Sequence, residues 1–499
     1  MSRISGVLLR GALALAFLLG VAGASVGRSP ARWPQFRGPN GAGVCEECRP
    51  PIRFGRDLNQ RWKTPVPPGQ SSPIVWDDHV FLTALEGGRL WTIALSARDG
   101  RERWRRPAPA GELEKVHALS SPAASTPATD GQRVYVYFGS FGLLSYDFAG
   151  LERWRVPLPT PPMRHGTATS PIVKDGKVFL QRDGNSPESE ILVVDGRTGA
   201  IAWRAPRPTL RESYATPMFW SHGGTEELIT VSNGRVVAYD PRDGKERWWA
   251  SGVTFQPVTL AVAGEGLLFV SSSGAGTPQE PLGLPTWPDL VRDHDGNGDG
   301  RLAPEEVPED VGIHSRKEVP KEVPGNFLLM RSLLKMADDD EDGLTTKAEW
   351  DGMNAFVAAN ENNVMALRPG GSGNVTETHV AWKAQTGIPE MPSPLLYRGR
   401  LWFVRNGGMV STYEAATGRV ILDRQRVGAL GQYAASPVAA GGNIFTASEA
   451  GIITVLEARD TLSVVARTDL GERIMATPAL VGDTLYVRTE GHMWAFRAR

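Results

Sequence analysis

The sequence predicts an all-β chain folded as an eight-bladed propeller, with one small α-helical insertion in its fifth blade. Three observations predict it. A small hydroxyl residue followed by proline recurs at Ser72-Pro73, Thr126-Pro127, Ser170-Pro171, Thr216-Pro217, Ser393-Pro394, Ser436-Pro437 and Thr477-Pro478, each opening a short apolar run. Later in the unit another apolar run leads into a turn rich in Asp, Thr and Gly and then often to Trp, as from Val236 through Asp240 and Gly244 to Trp248. Repeats of roughly 40 to 50 residues with several strands each are the signature of a ring of blades. The rhythm breaks once, after Phe269-Val270-Ser271, and resumes at Val364-Met365-Ala366-Leu367.

From its start, the chain reads as an export signal over 1–24. Arg3 and Arg10 precede and flank a short apolar stretch from Ala12 to Leu19, and Ala22-Gly23-Ala24 offers a small-residue cleavage site. That stretch is too short for a comfortable membrane span and no later segment approaches the needed length, so the mature chain is expected outside the cytoplasm, periplasmic or secreted, with no transmembrane segment. No Cys directly follows the cleavage site, which argues against a lipid anchor. An N-terminal arm over 25–58 carries both cysteines, Cys45 and Cys48. A local disulfide is the expected state in an oxidising compartment, ahead of a redox pair, because nothing nearby reads as a strand leading into a helix. No His follows Cys48, so haem attachment is not supported.

Residues 59–273 hold the first blades. In each unit the hydroxyl-Pro run is the innermost strand, a run such as His79–Ala84 the second, a run such as Leu90–Leu95 the third, and the outer strand carries Trp104, Trp154, Trp203, Trp248 or Trp382. These runs alternate as strands do and lack helical periodicity. The fifth unit is read as opening at Gln256-Pro257. Residues 363–499 hold the remaining blades, and the last unit stops after three strands at Trp494-Ala495-Phe496. Its missing outer strand is expected from the closing segment 59–64, Asn59-Gln60-Arg61-Trp62-Lys63 onward, which removes exposed edges and makes eight blades in preference to seven.

The insertion, 274–362, lies between the second and third strands of blade five. A first loop places Asp295, Asn297, Asp299, the backbone of Arg301 and Glu306 at calcium-ligand positions, with Gly300 at the sharp turn. A second repeats the pattern with Asp338, Asp340, Asp342, the backbone of Leu344 and Glu349, although Thr345 replaces the usual Ile or Leu that pairs the loops. A hard cation needs six or more oxygens converging from one compact loop, and this spacing supplies them. Phe327, Met330 and Leu334 share a helical face before the second loop, as do Trp350, Met353 and Val357 after it.

The repeat resembles the family of pyrroloquinoline-quinone-type repeat propellers, from Trp33-Pro34-Gln35-Phe36-Arg37-Gly38-Pro39-Asn40-Gly41 to the end, insertion apart. Its docking turn, Asp-x-x-x-Gly-x-x-x-Trp, stands here from Asp195 through Gly199 to Trp203 and from Asp240 through Gly244 to Trp248. The resemblance implies that these tryptophans staple neighbouring blades. The two acidic loops resemble an EF-hand pair, which implies bound calcium.

The formal net charge of −1 gives no basic field for nucleic acid. Loops before the innermost strands and loops between second and third strands share one face, which gathers His117, Arg164, His165, Tyr214, Glu390 and Tyr433 with Arg182, Asp183, Asn185, Arg405, Glu449, Arg488 and Glu490 as a candidate ligand-binding mouth. The reading favoured is a monomeric, non-catalytic, calcium-bearing exported protein that binds protein or glycan there. It is similar in repeat style to propeller components of outer-membrane assembly machinery. A quinone-dependent alcohol or sugar dehydrogenase is the alternative that the resemblance raises. Against it, Cys45 and Cys48 are not adjacent and the acidic loops form a separate module. A hydrolase or lyase using His117 or His165 with Glu449 or Glu490 is the third reading, and no nucleophile elbow, zinc helix or phosphate loop supports it.

Overall fold

The computed structural model describes residues 32–274, 280–316, 319–323, 326–358 and 362–498, so the signal expected over 1–24 lies outside the described residues. Eight sheets, each built on four antiparallel strands, surround one axis. The first is typical, running outward through Ile74–Trp76, His79–Glu86, Arg89–Ser96 and Glu102–Pro107. Successive side chains of a strand point to opposite faces, yet Val80, Phe81, Leu82 and Ala84 are all buried because every blade is sandwiched between two others. The apolar interior is accordingly divided among the clefts between blades.

The ring closes across the chain ends. Ala479–Val481, Thr484–Arg488 and His492–Arg497 form the inner strands of the eighth blade, and Gln60–Pro65 pairs antiparallel with His492–Phe496 as its outer strand. Eight blades therefore stand, not seven.

Most outer strands carry a bulge beside the tryptophan position, for instance between Ala94 and Leu95, Ser145 and Tyr146, and Val193 and Val194 of the partner strand. Such a bulge bends the strand and re-aims its side chain. Trp62, Trp104, Trp154, Trp203 and Trp382 each donate the indole N–H to a carbonyl in the next blade's turn, at Ala97 (3.1 Å), Phe148 (2.8 Å), Gly196 (2.8 Å), Pro241 (3.3 Å) and Ala415 (3.0 Å). Each ring also covers that turn's glycine. Gly100, Gly150, Gly199, Gly244 and Gly418 have φ between +74° and +82°, and a Cβ on any of them would stand within 2.8 Å of the indole.

Two expectations are corrected at blade five. Its inner strand is Val262–Gly264, so Leu260-Ala261, not Gln256-Pro257, occupies the hydroxyl-Pro position. Blade five also has no Asp-Gly turn to receive Trp248; instead Gly373–Asn374 pairs in parallel with the outer strand of blade four at Trp248 and Trp249, and the Trp248 indole bonds the Glu227 carboxylate at 3.0 Å.

The arm crosses the axis. Arg32 and Trp33 pair with Trp76 and Val75 at the far end of the first inner strand. The Pro34 carbonyl accepts from Thr129, Asn40 makes two hydrogen bonds with the backbone of Phe219, and Val44–Cys45 pairs in parallel with Ala439–Ala440. A single segment thus touches blades one, two, four and seven. Cys45 and Cys48 form a disulfide where it leaves the ring.

Candidate functional site

The hydroxyl-Pro dipeptides build a belt around the axis. The backbone N–H of each hydroxyl residue donates to the hydroxyl of the next blade: Ser72 to Thr126, Thr126 to Ser170, Ser170 to Thr216, Ser393 to Ser436, Ser436 to Thr477 and Thr477 to Ser72, all between 2.9 and 3.1 Å. Leu260 donates to Ser393 at 3.2 Å, but having no side-chain oxygen it leaves the belt open after Thr216. Proline follows because the inner strand's start faces the axis, where its missing N–H costs no ladder bond.

Above this belt lies a funnel of about 330 Å³. Its floor is Phe36, brought there by the arm, and its rim includes Leu119 and Ser120. The wall has a regular source. Gln70, Ala124, Ala168, Tyr214, Val258, Met391, Ala434 and Met475 line it, and each stands two residues before the belt position of its blade. Gln256 and His165 complete it. No Asp, Glu, Lys or Arg is among the described lining residues. Burial first, and the neighbouring His117 second, lower the pKa of His165 and so favour its neutral ring.

The predicted mouth residues divide into two groups. His117, Arg164, His165, Asn185 and Glu490 are exposed or half-buried around the opening, and the rings of His117 and His165 meet edge to face at 4.9 Å. Tyr214 joins the wall and donates to Glu212 at 2.6 Å; burial first, and that bond second, raise its pKa. The others bind protein groups. Arg182 bonds Glu190 at 2.5 Å, Asp183 pairs with Arg207 at 3.2 Å, Tyr433 donates to the Ala429 carbonyl at 2.9 Å, and Glu449 pairs with Arg473 at 2.7 Å. Burial raises the pKa of Asp183 despite that guanidinium. Arg488 is buried against the Ser71 and Pro67 carbonyls. Sequence reasoning missed Phe36, Gln70, Met391 and Met475, although the constant offset from the hydroxyl-Pro dipeptides marks the last three. It also missed Glu114, which accepts from the Thr167 N–H at 2.8 Å and whose pKa burial pushes up to about 6.

The insertion overhangs this face. Glu280 bonds Arg405 of blade six at 3.0 Å and Arg316 of the insertion at 3.0 Å, and Arg316 also reaches Glu390 before blade six. Glu390 and Arg405 are therefore part of the insertion's seat. Helix α1 (Trp287–His294) precedes the first acidic loop, and α2 (Met330–Ala337) and α3 (Lys347–Ala358) flank the second. Phe327, expected on the α2 face, instead pairs in the short strand Phe327–Leu329 with Gly312–His314. Leu302 and Thr345 exchange both backbone hydrogen bonds, at 3.0 and 2.9 Å; Leu302 lies in a core with Trp287, Leu334 and Trp350, and Thr345 is buried. Thr345 is accommodated there because its hydroxyl donates to the Leu334 carbonyl.

Each acidic loop is cinched by its own carboxylates. Asp295 accepts from Gly298 and Gly300, and Asp338 from Asp342 and Gly343. Gly300 and Gly343 adopt φ of +76° and +87° in open space, where a side chain would be strained. Oxygens of Asp338, Asp340 and Asp342 lie within 4.8 Å of one another. Hydrogen bonds from Thr346 lower the pKa of Glu349, the last of that set.

A wider cleft of about 680 Å³, between Phe255, Phe356 and Lys383, lies off the axis at the seam of blades four and five. It is open, and no repeat position converges on it, so the axial funnel is the better candidate. No described helix is long and apolar enough to cross a membrane.

A family model described as outer membrane protein assembly factor BamB matches residues 57–165, 94–273 and 343–499. No curated protein matches the chain. Among solved structures, BamB from Moraxella catarrhalis aligns at a TM-score of 0.51 and 11% identity, covering 88% of this chain and 98% of that one. A europium-containing methanol dehydrogenase aligns at 0.53 and 10% identity, covering 94% and 98%. The computationally designed Ika8 protein aligns at 0.51 and 9%, covering 88% and 99%. Likeness at these identities concerns the fold, which an assembly factor, a dehydrogenase and a designed protein share.

Proposed function

Since this chain belongs to the outer membrane protein assembly factor BamB family of repeat propellers, we propose that it is an exported binding protein that receives an apolar group of a partner protein in its axial funnel. The observation that carries this reading is the wall: every blade contributes one residue, none is charged, and a rim of mixed charge surrounds it. A buried apolar pocket inside a polar rim is where protein interfaces concentrate their affinity.

Pyrroloquinoline quinone does not fit the funnel. It is a tricarboxylate, and the described lining offers neither a cation for three carboxylates nor a carboxylate to hold a metal against a quinone. Of the two acids named for a hydrolytic pair, Glu449 is committed to Arg473.

The two acidic loops are calcium sites in this reading. Convergent oxygens in the second loop, left-handed glycines in both and the Leu302–Thr345 bridge between them support it. The insertion's seat on Glu390 and Arg405 supports a structural role, in which the ion stiffens a shelf beside the funnel.

A photo-crosslinking residue at Leu119 on the rim and another at Asp175 on the opposite face test the proposal in intact envelopes. A discrete adduct at Leu119, absent at Asp175, whose partner then binds the purified protein, is expected. Equal labelling from both positions would overturn the axial reading, and dye-linked alcohol oxidation after reconstitution with quinone and calcium would overturn the non-catalytic one.

A further inference from the structure

Beside the funnel, and sharing Gln70, Ser120 and Met475 with it, lies a second cavity of about 230 Å³. Its wall holds the guanidinium of Arg488, a residue only 1% exposed. That group has carbonyl and hydroxyl partners only: Nη1 donates to the Ser71 carbonyl and hydroxyl at 3.0 and 2.7 Å, and Nη2 to the Pro67 carbonyl at 3.2 Å. Its Nε has no partner among the described residues. Burial alone moves its pKa, down to about 9, so it stays charged at neutral pH with no carboxylate acting on it. Gly69 makes room for it, since a Cβ there would stand 2.6 Å from Nη2.

A buried charge without a counter-charge is costly, and each buried donor without an acceptor adds to that cost. The nearby acids do not relieve it. Glu449 is taken by Arg473, the other cation of this cavity, and Glu490 stands exposed at the outer edge. Arg488 is held in place by its carbonyls with a donor to spare, which is the arrangement of a preorganised anion subsite.

We propose that this cavity is a carboxylate subsite, and that the axial site as a whole takes a carboxylate joined to an apolar group, with the acid at Arg488 and the apolar part in the neutral funnel. This inference rests on the axial-funnel reading and sharpens it. One guanidinium calls for one carboxylate, which separates the ligand class from neutral glycans and from polyanions alike. A free aryl or aliphatic acid and the C-terminal residue of a protein share that chemistry.

The test is calorimetry on the full mature protein with matched probes. These are 4-phenylbutyrate and its primary amide, and a pentapeptide ending in Phe with a free or amidated terminus. Each acid is expected to bind at least about tenfold more tightly than its amide, the size of one charge-assisted hydrogen bond. Arg488→Met is expected to erase that preference while leaving amide binding intact. The comparison on the unaltered protein stands even if the variant does not fold. Tighter binding of the peptide acid identifies a protein terminus as the source, and tighter binding of phenylbutyrate identifies a free acid. Equal affinity for acid and amide would overturn the subsite and leave the funnel standing. No binding of any probe would overturn both.

Discussion

The backbone N–H of Thr477 donates to the hydroxyl of Ser72 at 3.0 Å, joining the last blade to the first across 405 residues of sequence. The same bond recurs at every junction except that after Thr216, where Leu260 offers no hydroxyl, so the rest of the belt is a chain of equivalent links. Ser72→Ala is expected to lower stability by about 1 kcal/mol, the net value of one hydrogen bond, as a shift of the urea midpoint. Ser72→Thr, the residue found at three other belt positions, is expected to leave the midpoint unchanged.

Trp154 tests the staple between blades two and three. Trp154→Phe removes the 2.8 Å bond to Gly196 but keeps most of the packing, and is expected to lower stability by about 1 kcal/mol. Trp154→Ala opens a cavity as well, for about 3–5 kcal/mol. Gly199→Ala adds a Cβ 2.8 Å from that indole at φ +77°, and thermal unfolding is expected to show it destabilised although no contact is deleted.

Glu114 gives a pH dependence of known sign. Burial raises its pKa from the usual 4.5 to about 6, so the folded state prefers the protonated acid. Its stabilising contribution is complete below about pH 4.5 and is lost as pH rises through 6, for roughly 2 kcal/mol. Glu114→Gln is therefore expected to gain stability relative to the parent between pH 4.5 and 7. Denaturant titrations of both proteins across that range check it, and a parallel pair of curves would refute it.

Calcium is expected to raise the unfolding temperature of the insertion selectively. At 100 times Kd an ion bound only to the folded form adds about 2.7 kcal/mol. Glu306→Gln together with Glu349→Gln should remove that gain and the calorimetric heat of binding. Hydrogen exchange within α2 and α3 localises the effect, and unchanged heats in the double variant would refute the assignment.

Strand order, blade number and closure were legible because they follow from period and from a count of strands at each end. Trp248 and Leu260 were not. Both lie where blade five departs from the repeat, and a local motif cannot show that its partner in the next unit is missing. The site was legible only as a face. Arg182, Asp183 and Tyr433 were assigned to it by loop position and instead bond Glu190, Arg207 and the Ala429 carbonyl; whether a polar loop residue meets solvent or a neighbour depends on contacts between segments, which no local motif encodes. The lining was within reach through the residue two before each hydroxyl, had that offset been read as a column.

Because Gln60–Pro65 completes the sheet begun at Ala479, the first strand of the wheel to leave the ribosome waits for the last. Until then the chain is an open curl with two raw edges, and each invites another such curl to join it. A protein built this way keeps two unpaired edges until its final strands are made. It also needs its two termini to find each other faster than either finds a stranger.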